Sequence, residues 1–205
     1  MPPHRDVAAF QERAPGYEQG WLGRLHHDIA DRTADLAVSV RAAPVRVLDV
    51  GCGTGYLLRR LAREYPQASE LAGVDPAPAM IAAARQAADD SRLRYRVGTA
   101  ERLPFDDGAF DLIVSTTSFD HWQDQLAGLR ECARILAPGG SLVLADLFSP
   151  LLRPTLLAGR RGKARSRQRA SRLASTAGFT GLAWHDVYAN VIKAVTATTA
   201  SIGAA

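Results

Sequence analysis

A chain of 205 residues that is 47% hydrophobic and 22% charged can bury one substantial core, which excludes a disordered or fibrous class. No apolar run approaches the ~20 residues of a membrane span and no signal-peptide pattern opens the chain, so a cytoplasmic protein without membrane association is expected. Cys52 and Cys132 stand far apart, which leaves neither a disulfide framework nor a metal-ligand spacing.

Met1 to Arg5 is polar and reads as a loose tail. Phe10 to Arg41 reads as helix, with Trp21, Leu25, Ile29, Leu36 and Val40 recurring near helical spacing and Pro15-Gly16 breaking off a short leading piece. Arg46 to Val50 is short, β-branched-rich and mostly apolar, as suits a strand buried on both faces of a parallel sheet. Three glycines at alternate positions, Gly51, Gly53 and Gly55, then pass into a helix from Tyr56 to Tyr65 that Pro66 ends. Leu71 to Asp75 is a second strand. Pro76 or Pro78 opens a helix through Ala88, and Leu93 to Val97 and Phe110 to Ser115 are further strands. Trp122 to Leu136 reads as helix, stopped by Pro138-Gly139-Gly140 before a fifth strand from Ser141 to Leu147. The basic stretch up to Ala177 is partly helical and ends at Gly178. Leu182 to Val187 and Asn190 to Ala197 complete the strands, with a frayed tail from Thr198.

Five strand–helix units and a closing strand pair predict an α/β fold: a doubly wound, mostly parallel seven-stranded sheet in three layers, α/β/α. The chain divides into N-terminal helices (1–43), a core (44–148) and a C-terminal helix with the closing strand pair (149–205), all within one domain.

In such a sheet the ligand lies beyond the carboxyl ends of the strands. That rule brings together Asp49–Gly55, Asp75, Gly98-Thr99-Ala100-Glu101 and Ser115-Thr116-Thr117. Asp75 stands 20 residues beyond Gly55, where a carboxylate can accept both hydroxyls of a ribose. An acid opening the next helix, favoured by its dipole, is the structural alternative. The glycine spacing is G-x-G-x-G, one residue shorter at its third glycine than the dinucleotide fingerprint.

Val47-Leu48-Asp49-Val50-Gly51-Cys52-Gly53-Thr54-Gly55 resembles the first motif of class I S-adenosylmethionine-dependent methyltransferases, whose fold is Rossmann-like. Val74-Asp75-Pro76-Ala77-Pro78-Ala79-Met80 resembles the second, and Gly98 to Phe105 with Phe110-Asp111-Leu112-Ile113 the third and fourth. Arg134 to Gly140 resembles the fifth. The likeness covers Val45 to Asp146 and is nearest to the small ubiquinone/menaquinone-methyltransferase-like, type 11 group.

The resemblance implies that Asp49 and the turn Gly51-Cys52-Gly53-Thr54-Gly55 hold the methionine part of S-adenosyl-L-methionine, mostly through backbone. It implies that Asp75 takes the ribose, Pro76 and Met80 pack on the adenine, and the Ala100 amide meets an adenine nitrogen. Where many relatives carry an aspartate, this chain has Thr99; its hydroxyl or Glu101 would serve. Ser115 closes the fourth strand at the same crevice. Tyr17 resembles a tyrosine that closes over the cofactor, and the N-terminal helices would form a lid. The product would be S-adenosyl-L-homocysteine.

A methyl already activated on sulfur needs alignment with its acceptor at ~3 Å more than it needs side-chain chemistry. A general base serves only an acceptor that must lose a proton. The candidates are Asp120, His121, His26 and His27; His121 has packing beside Trp122 as its alternative. Adjacent on a helix, at most one of His26 and His27 is expected to face the crevice, and an exposed pair is the simpler reading. Trp21, Phe119 and Trp122 form an acceptor pocket or fix the N-terminal helices onto the sheet. Cys52 is a small residue in the turn, with nothing to mark a nucleophile.

The net charge of +4 is local: Arg153, Arg160, Arg161, Lys163, Arg165, Arg167, Arg169 and Arg172 include no acid between them. They form a solvated helix face or attract an anion such as RNA; no aromatic residue interleaves them for base stacking. The reading is therefore a methyltransferase acting on an O, N or C atom of a small-molecule acceptor, as a monomer or homodimer. The pocket would be made by the lid, the loop after the fourth strand and a mobile loop from Phe148 to Gly162. The rivals are an RNA methyltransferase using the arginine cluster, a non-catalytic cofactor-binding regulator or scaffold, and a nicotinamide-dependent dehydrogenase, which the third-glycine spacing argues against.

Overall fold

Arg46–Val50 (β1) is buried at every position after Arg46, and its side chains alternate between two cores. Leu48 and Val50 pack with Ile113, Phe119 and Leu129 on one face. Val47 packs with Leu58, Leu61 and Leu112 on the other. A strand buried on both faces requires helices on both faces, and the computed structural model, which describes residues 5–148 and 166–200, has them.

The sheet contains β1, Glu70–Asp75 (β2), Leu93–Val97 (β3), Phe110–Thr116 (β4), Leu136–Leu147 (β5), Thr180–Tyr188 (β6) and Ile192–Thr198 (β7), in the order β3-β2-β1-β4-β5-β7-β6. β1 pairs in parallel with β2 and β4, β2 with β3, and β4 with β5. β7 runs antiparallel between β5 and β6. The seven-stranded, mostly parallel α/β sheet expected from the sequence is therefore present.

The helices are Arg5–Arg13 (α1), Gly20–Val40 (α2), Tyr56–Glu64 (α3), Pro78–Gln86 (α4), Gln125–Ile135 (α5) and Arg167–Thr176 (α6). Ala30, Ala34 and Ala37 of α2 join α3 and α4 residues in the core with Val47. Leu129 and Cys132 of α5 and Ala170 and Ala174 of α6 fill the core with Leu48.

The break expected at Pro15-Gly16 is present as a 3₁₀ turn, Ala14–Gly16, with Gly20 beyond it in the left-handed region at φ 69°. Two other boundaries differ from expectation, each for a local reason. The helix expected from Trp122 starts at Gln125, because Asp124 caps it by accepting from the Leu126 and Ala127 amides at 3.0 Å each. A 3₁₀ turn, Phe119–His121, lies before Trp122, between β4 and that helix. β5 begins at Leu136 rather than Ser141: Leu136 pairs with Phe110, and the register shifts before Leu112 meets Ser141. Pro138-Gly139-Gly140 thus forms an irregularity inside a strand, where the sequence suggested a turn before it.

Trp21, read as an anchor of the N-terminal helices or a pocket wall, is 70% exposed at the start of α2. The basic residues Arg153, Arg160, Arg161, Lys163 and Arg165 and nearly all of the loop expected from Phe148 to Gly162 lie outside the described residues, as do the first residues of the expected N-terminal tail and the last of the C-terminal one. Arg167, Arg169 and Arg172 are exposed on α6.

Candidate functional site

The strand ends meet at two adjoining cavities. The first is walled by Gly51 and Gly53 after β1, Asp75 and Pro76 at β2, Gly98–Glu101 after β3, and Thr116, Thr117, Ser118, His121, Trp122 and Gln123 after β4. Val7 and Phe10 of α1 and Tyr17 close it from above, and Met80 of α4 from the side. With its open mouth it encloses about 810 Å³. The second cavity is walled by Glu18, His26, His27, Asp49, Cys52, Thr54 and Tyr56, and shares Tyr17, Gly51, Gly53, Thr116 and Thr117 with the first. The glycine turn is the partition between them.

Asp75 Oδ2 accepts from the Gly53 amide at 3.0 Å and Oδ1 from the Ala77 amide at 2.9 Å. The carboxylate therefore braces the turn while each oxygen keeps a lone pair. Burial raises its pKa, against the lowering effect of those two amides. Asp49 is 2% exposed; its Oδ1 has no hydrogen-bond partner among the described residues. Burial, with Asp75 nearby, pushes the Asp49 pKa up to about 8. Burial, with Asp75 second, also lifts the Tyr17 hydroxyl to about 12.

α1 reaches the site through an apolar cluster in which Val7, Phe10 and Tyr17 pack on Ala77 and Met80. Gln11 Oε1 accepts from the Ala79 amide at 2.6 Å. Glu18 pairs with Arg59 at 3.0 Å, which ties the segment after Tyr17 to α3.

Thr99 and Glu101 lie on the wall of the first cavity beside the buried Ala100. Glu101 Oε1 accepts from the Asp124 amide at 3.2 Å, so that oxygen is engaged with the start of α5. Burial, with Asp49 and Asp75, drives the Cys52 thiol well above its ordinary pKa, and it is no thiolate nucleophile.

Of the expected site residues, Tyr17, Asp49, Gly51, Cys52, Gly53, Asp75, Pro76, Met80, Thr99, Ala100, Glu101 and His121 border one cavity or both. Gly55, Ser115 and Asp120 border neither. Gly55 caps α3 at φ 79° with Tyr95 packed against it. Ser115 is 1% exposed and donates to the Val50 carbonyl at 2.8 Å. The Asp120 amide donates to Asp146 Oδ2 at 3.1 Å.

The histidines depart from both sequence expectations, that at most one faces the crevice and that the two form an exposed pair. His26 and His27 are both half-buried and both border the second cavity. His26 packs on Tyr17, ring centroids 5.1 Å apart, and His27 stacks on Tyr56 at 3.7 Å. Burial holds His26 below the ordinary histidine pKa, with His27 adding to the effect. His121 meets the Phe10 ring edge-on at 5.1 Å. Trp122 lines the first cavity, whereas Phe119 is wholly buried behind it.

Sequence reasoning passed over Ser118, Glu18 and Asp146. Asp146 is 2% exposed at the end of β5; it accepts from the Leu147 and Asp120 amides and burial raises it to about 6. A serine after a strand and an acid inside one carry no local pattern that marks them.

A family model described as a methyltransferase domain matches residues 48–144, the segment that supplies most of both walls. A demethylmenaquinone methyltransferase of Thermus thermophilus is 40% identical over 148 residues, covering 69% of this chain and 65% of that protein. A malonyl-[acyl-carrier protein] O-methyltransferase of Halorhodospira halophila is 38% identical over 144 residues, 69% of this chain and 47% of that protein. The chain thus spans about half to two thirds of these relatives.

Among solved structures, a Haloferax volcanii methyltransferase in complex with the Trm112 methyltransferase activator superposes with a TM-score of 0.80 at 22% identity, over 98% of this chain and 99% of that one. The [4+2]-cyclase SpnF superposes at 0.70 and 24% identity, over 83% and 81%. These structures share the fold. Residues 48–144 of this chain, with the glycine turn at their head, are thus the part that matches the methyltransferase domain family.

Proposed function

We propose that this chain transfers a methyl group from S-adenosylmethionine to an O, N or C atom of a small molecule, with the cofactor lying across the glycine turn from one cavity into the other. The observation that carries this reading is the pair of acids on either side of that turn. Asp49 offers the second cavity an unpartnered carboxylate oxygen, and Asp75 offers the first two oxygens oriented by backbone amides. A ligand with a cation at one end and a ribose diol toward the other satisfies both, and the chemistry of this donor set fits S-adenosylmethionine.

Bound there, the cofactor supplies a methyl already activated on a sulfonium. The chain's own residues do the rest. Asp49 receives the ammonium group, which favours its ionised form. Asp75 receives the ribose hydroxyls, and Pro76 and Met80 pack on the adenine beside Ala100. Tyr17, Phe10 and Val7 exclude water from above, as a lid carried by α1 and the turn that follows it, while α2 packs into the core. Thr116, Thr117 and His121 face the place where an acceptor meets the turn, and aligning it there is the larger part of the catalysis. The relatives named for demethylmenaquinone and malonyl-acyl-carrier-protein support an acceptor of small-molecule chemistry.

Because a [4+2]-cyclase has this fold too, the test scores methyl transfer itself. The purified chain is incubated with methyl-labelled S-adenosylmethionine and fractionated small metabolites, and mass spectrometry seeks products one methyl heavier. Labelled products that disappear with Asp49→Asn are expected. Cofactor binding without any labelled product would overturn the transferase reading in favour of a binding or scaffold role, and label confined to added RNA would overturn the small-molecule acceptor.

A further inference from the structure

Val50 ends β1, and its carbonyl accepts from two hydroxyls at once, Ser115 Oγ at 2.8 Å and Ser118 Oγ at 2.9 Å. The two hydroxyls lie 2.7 Å apart. Ser118 Oγ also accepts from the indole nitrogen of Trp122 at 3.2 Å, and its carbonyl accepts from the His121 amide at 2.9 Å. One residue therefore touches the strand that feeds the glycine turn and both ring residues of the loop after β4: Val50 and Trp122 through its side chain, His121 through its backbone carbonyl.

The next residue of the turn leaves no slack. Gly51 stands at φ 79°, and a Cβ built on it would come within 2.3 Å of Ser118 Cβ and 2.4 Å of its Oγ. Any displacement of Gly51 toward the loop is thus a displacement of Ser118. On its other side Gly51 is fixed by its amide, which donates to the Val74 carbonyl at 2.7 Å. Ser115 is enclosed within the sheet and lines neither cavity, whereas Ser118 lines the first one. Its hydroxyl joins the end of β1 to Trp122 on the opposite wall.

We propose that Ser118 is a positioning residue that couples the glycine turn to the wall formed by His121 and Trp122, so that a ligand seated on the turn sets the shape of the surface an acceptor meets. The proposal rests on the cofactor reading above, and it extends that reading to the acceptor side. Ser118 acts through Trp122 and His121, not on a reacting atom.

The indole N–H signals of Trp21, Trp122 and Trp184, assigned by single tryptophan-to-phenylalanine replacements, provide a readout that needs no acceptor. Titrating S-adenosylhomocysteine into the wild-type chain should move the Trp122 signal. In Ser118→Ala the same titration should leave that signal nearly still, although the ligand binds within roughly threefold of wild type, the size expected for one neutral hydrogen bond. Ser115→Ala should retain the response. A Trp122 signal that ignores bound ligand in the wild type, or that responds equally in Ser118→Ala, would overturn the coupling. If Ser118→Ala does not fold, Ser118→Cys keeps the contact with Gly51 while weakening the hydrogen bonds, and a diminished response is expected.

Should the wild type bind no S-adenosylhomocysteine, the cofactor reading fails and the coupling is decided in ligand-free protein. Gly53→Ala strains the turn at a position where φ is 52° and no atom lies within 4 Å of the added Cβ. Its shift of the Trp122 signal should require Ser118; the same shift in the Ser118→Ala background would contradict the proposal.

Discussion

The Asp75 carboxylate, at the end of β2, holds the Gly53 amide at 3.0 Å, so the acid that closes one strand fixes the glycine turn that follows its neighbour. The same carboxylate orders its own loop through Ala77. It therefore both borders the first cavity and braces the turn, and its removal should be felt at the turn as well as in binding of the proposed cofactor.

Asp75→Ala should weaken S-adenosylhomocysteine binding by about 1–3 kcal/mol, the cost of removing hydrogen bonds to one charged group. Isothermal titration calorimetry checks this. An unchanged dissociation constant would remove Asp75 from the ribose site, and circular dichroism separates loss of binding from loss of fold.

Asp49 gives a pH dependence with a definite sign. In the folded, ligand-free chain its pKa is about 8, whereas in the unfolded chain an aspartate ionises near ~3.9. Between those values the folded state holds a proton that the unfolded state has released, so stability falls as pH rises from about 4 to about 8. Asp146, raised to about 6, and Asp75, also raised, add the same sign. His26, held low by burial, acts with the opposite sign, so the difference between two chains isolates Asp49: from pH 5 to pH 8 the melting temperature of ligand-free wild type should fall relative to that of Asp49→Asn. Binding of a cation beside Asp49 releases its proton, so affinity for S-adenosylmethionine should rise over the same interval. A binding curve that falls with pH would contradict the assignment.

Gly51→Ala tests the close approach of the turn to the loop after β4. A Cβ at φ 79°, 2.3 Å from Ser118 Cβ, demands that backbone or loop give way, and overpacking of this kind costs about 1–3 kcal/mol. Chemical denaturation should show that loss. Replacement at Gly53, where the space is open, should reduce ligand binding more than it reduces stability.

Much of this architecture was legible in the sequence because its signals are local. Val47-Leu48-Asp49-Val50 is an apolar run with one acid, and it forms a strand whose residues after Arg46 are all buried. Leu93–Val97 is bounded as expected from its alternation. Asp49 and Asp75 were singled out by the rule that ligands meet the strand ends, and the two acids border adjoining cavities. What stayed hidden depends on partners distant in the chain. Trp21 has the spacing of a buried helix residue, yet the break after Gly16 leaves it pointing to solvent. His26 and His27 both border a cavity because Tyr17 packs on one and Tyr56 on the other, contacts made across a turn and between helices. Ser118 carries no motif; its role comes from Val50, 68 residues earlier, and from the absence of a side chain on Gly51. Leu136-Ala137-Pro138-Gly139-Gly140 reads as a helix end and turn, but pairing of Leu136 with Phe110 draws it into the sheet.

In the proposed function, one cofactor spans the glycine turn between Asp49 and Asp75. Its most direct test is calorimetric titration of the wild-type chain with S-adenosylhomocysteine and, separately, with NAD. Saturable one-site binding of S-adenosylhomocysteine, weakened in Asp75→Ala and much stronger than any binding of NAD, is the predicted result. No binding of S-adenosylhomocysteine by folded protein, or equal or tighter binding of NAD, would contradict it.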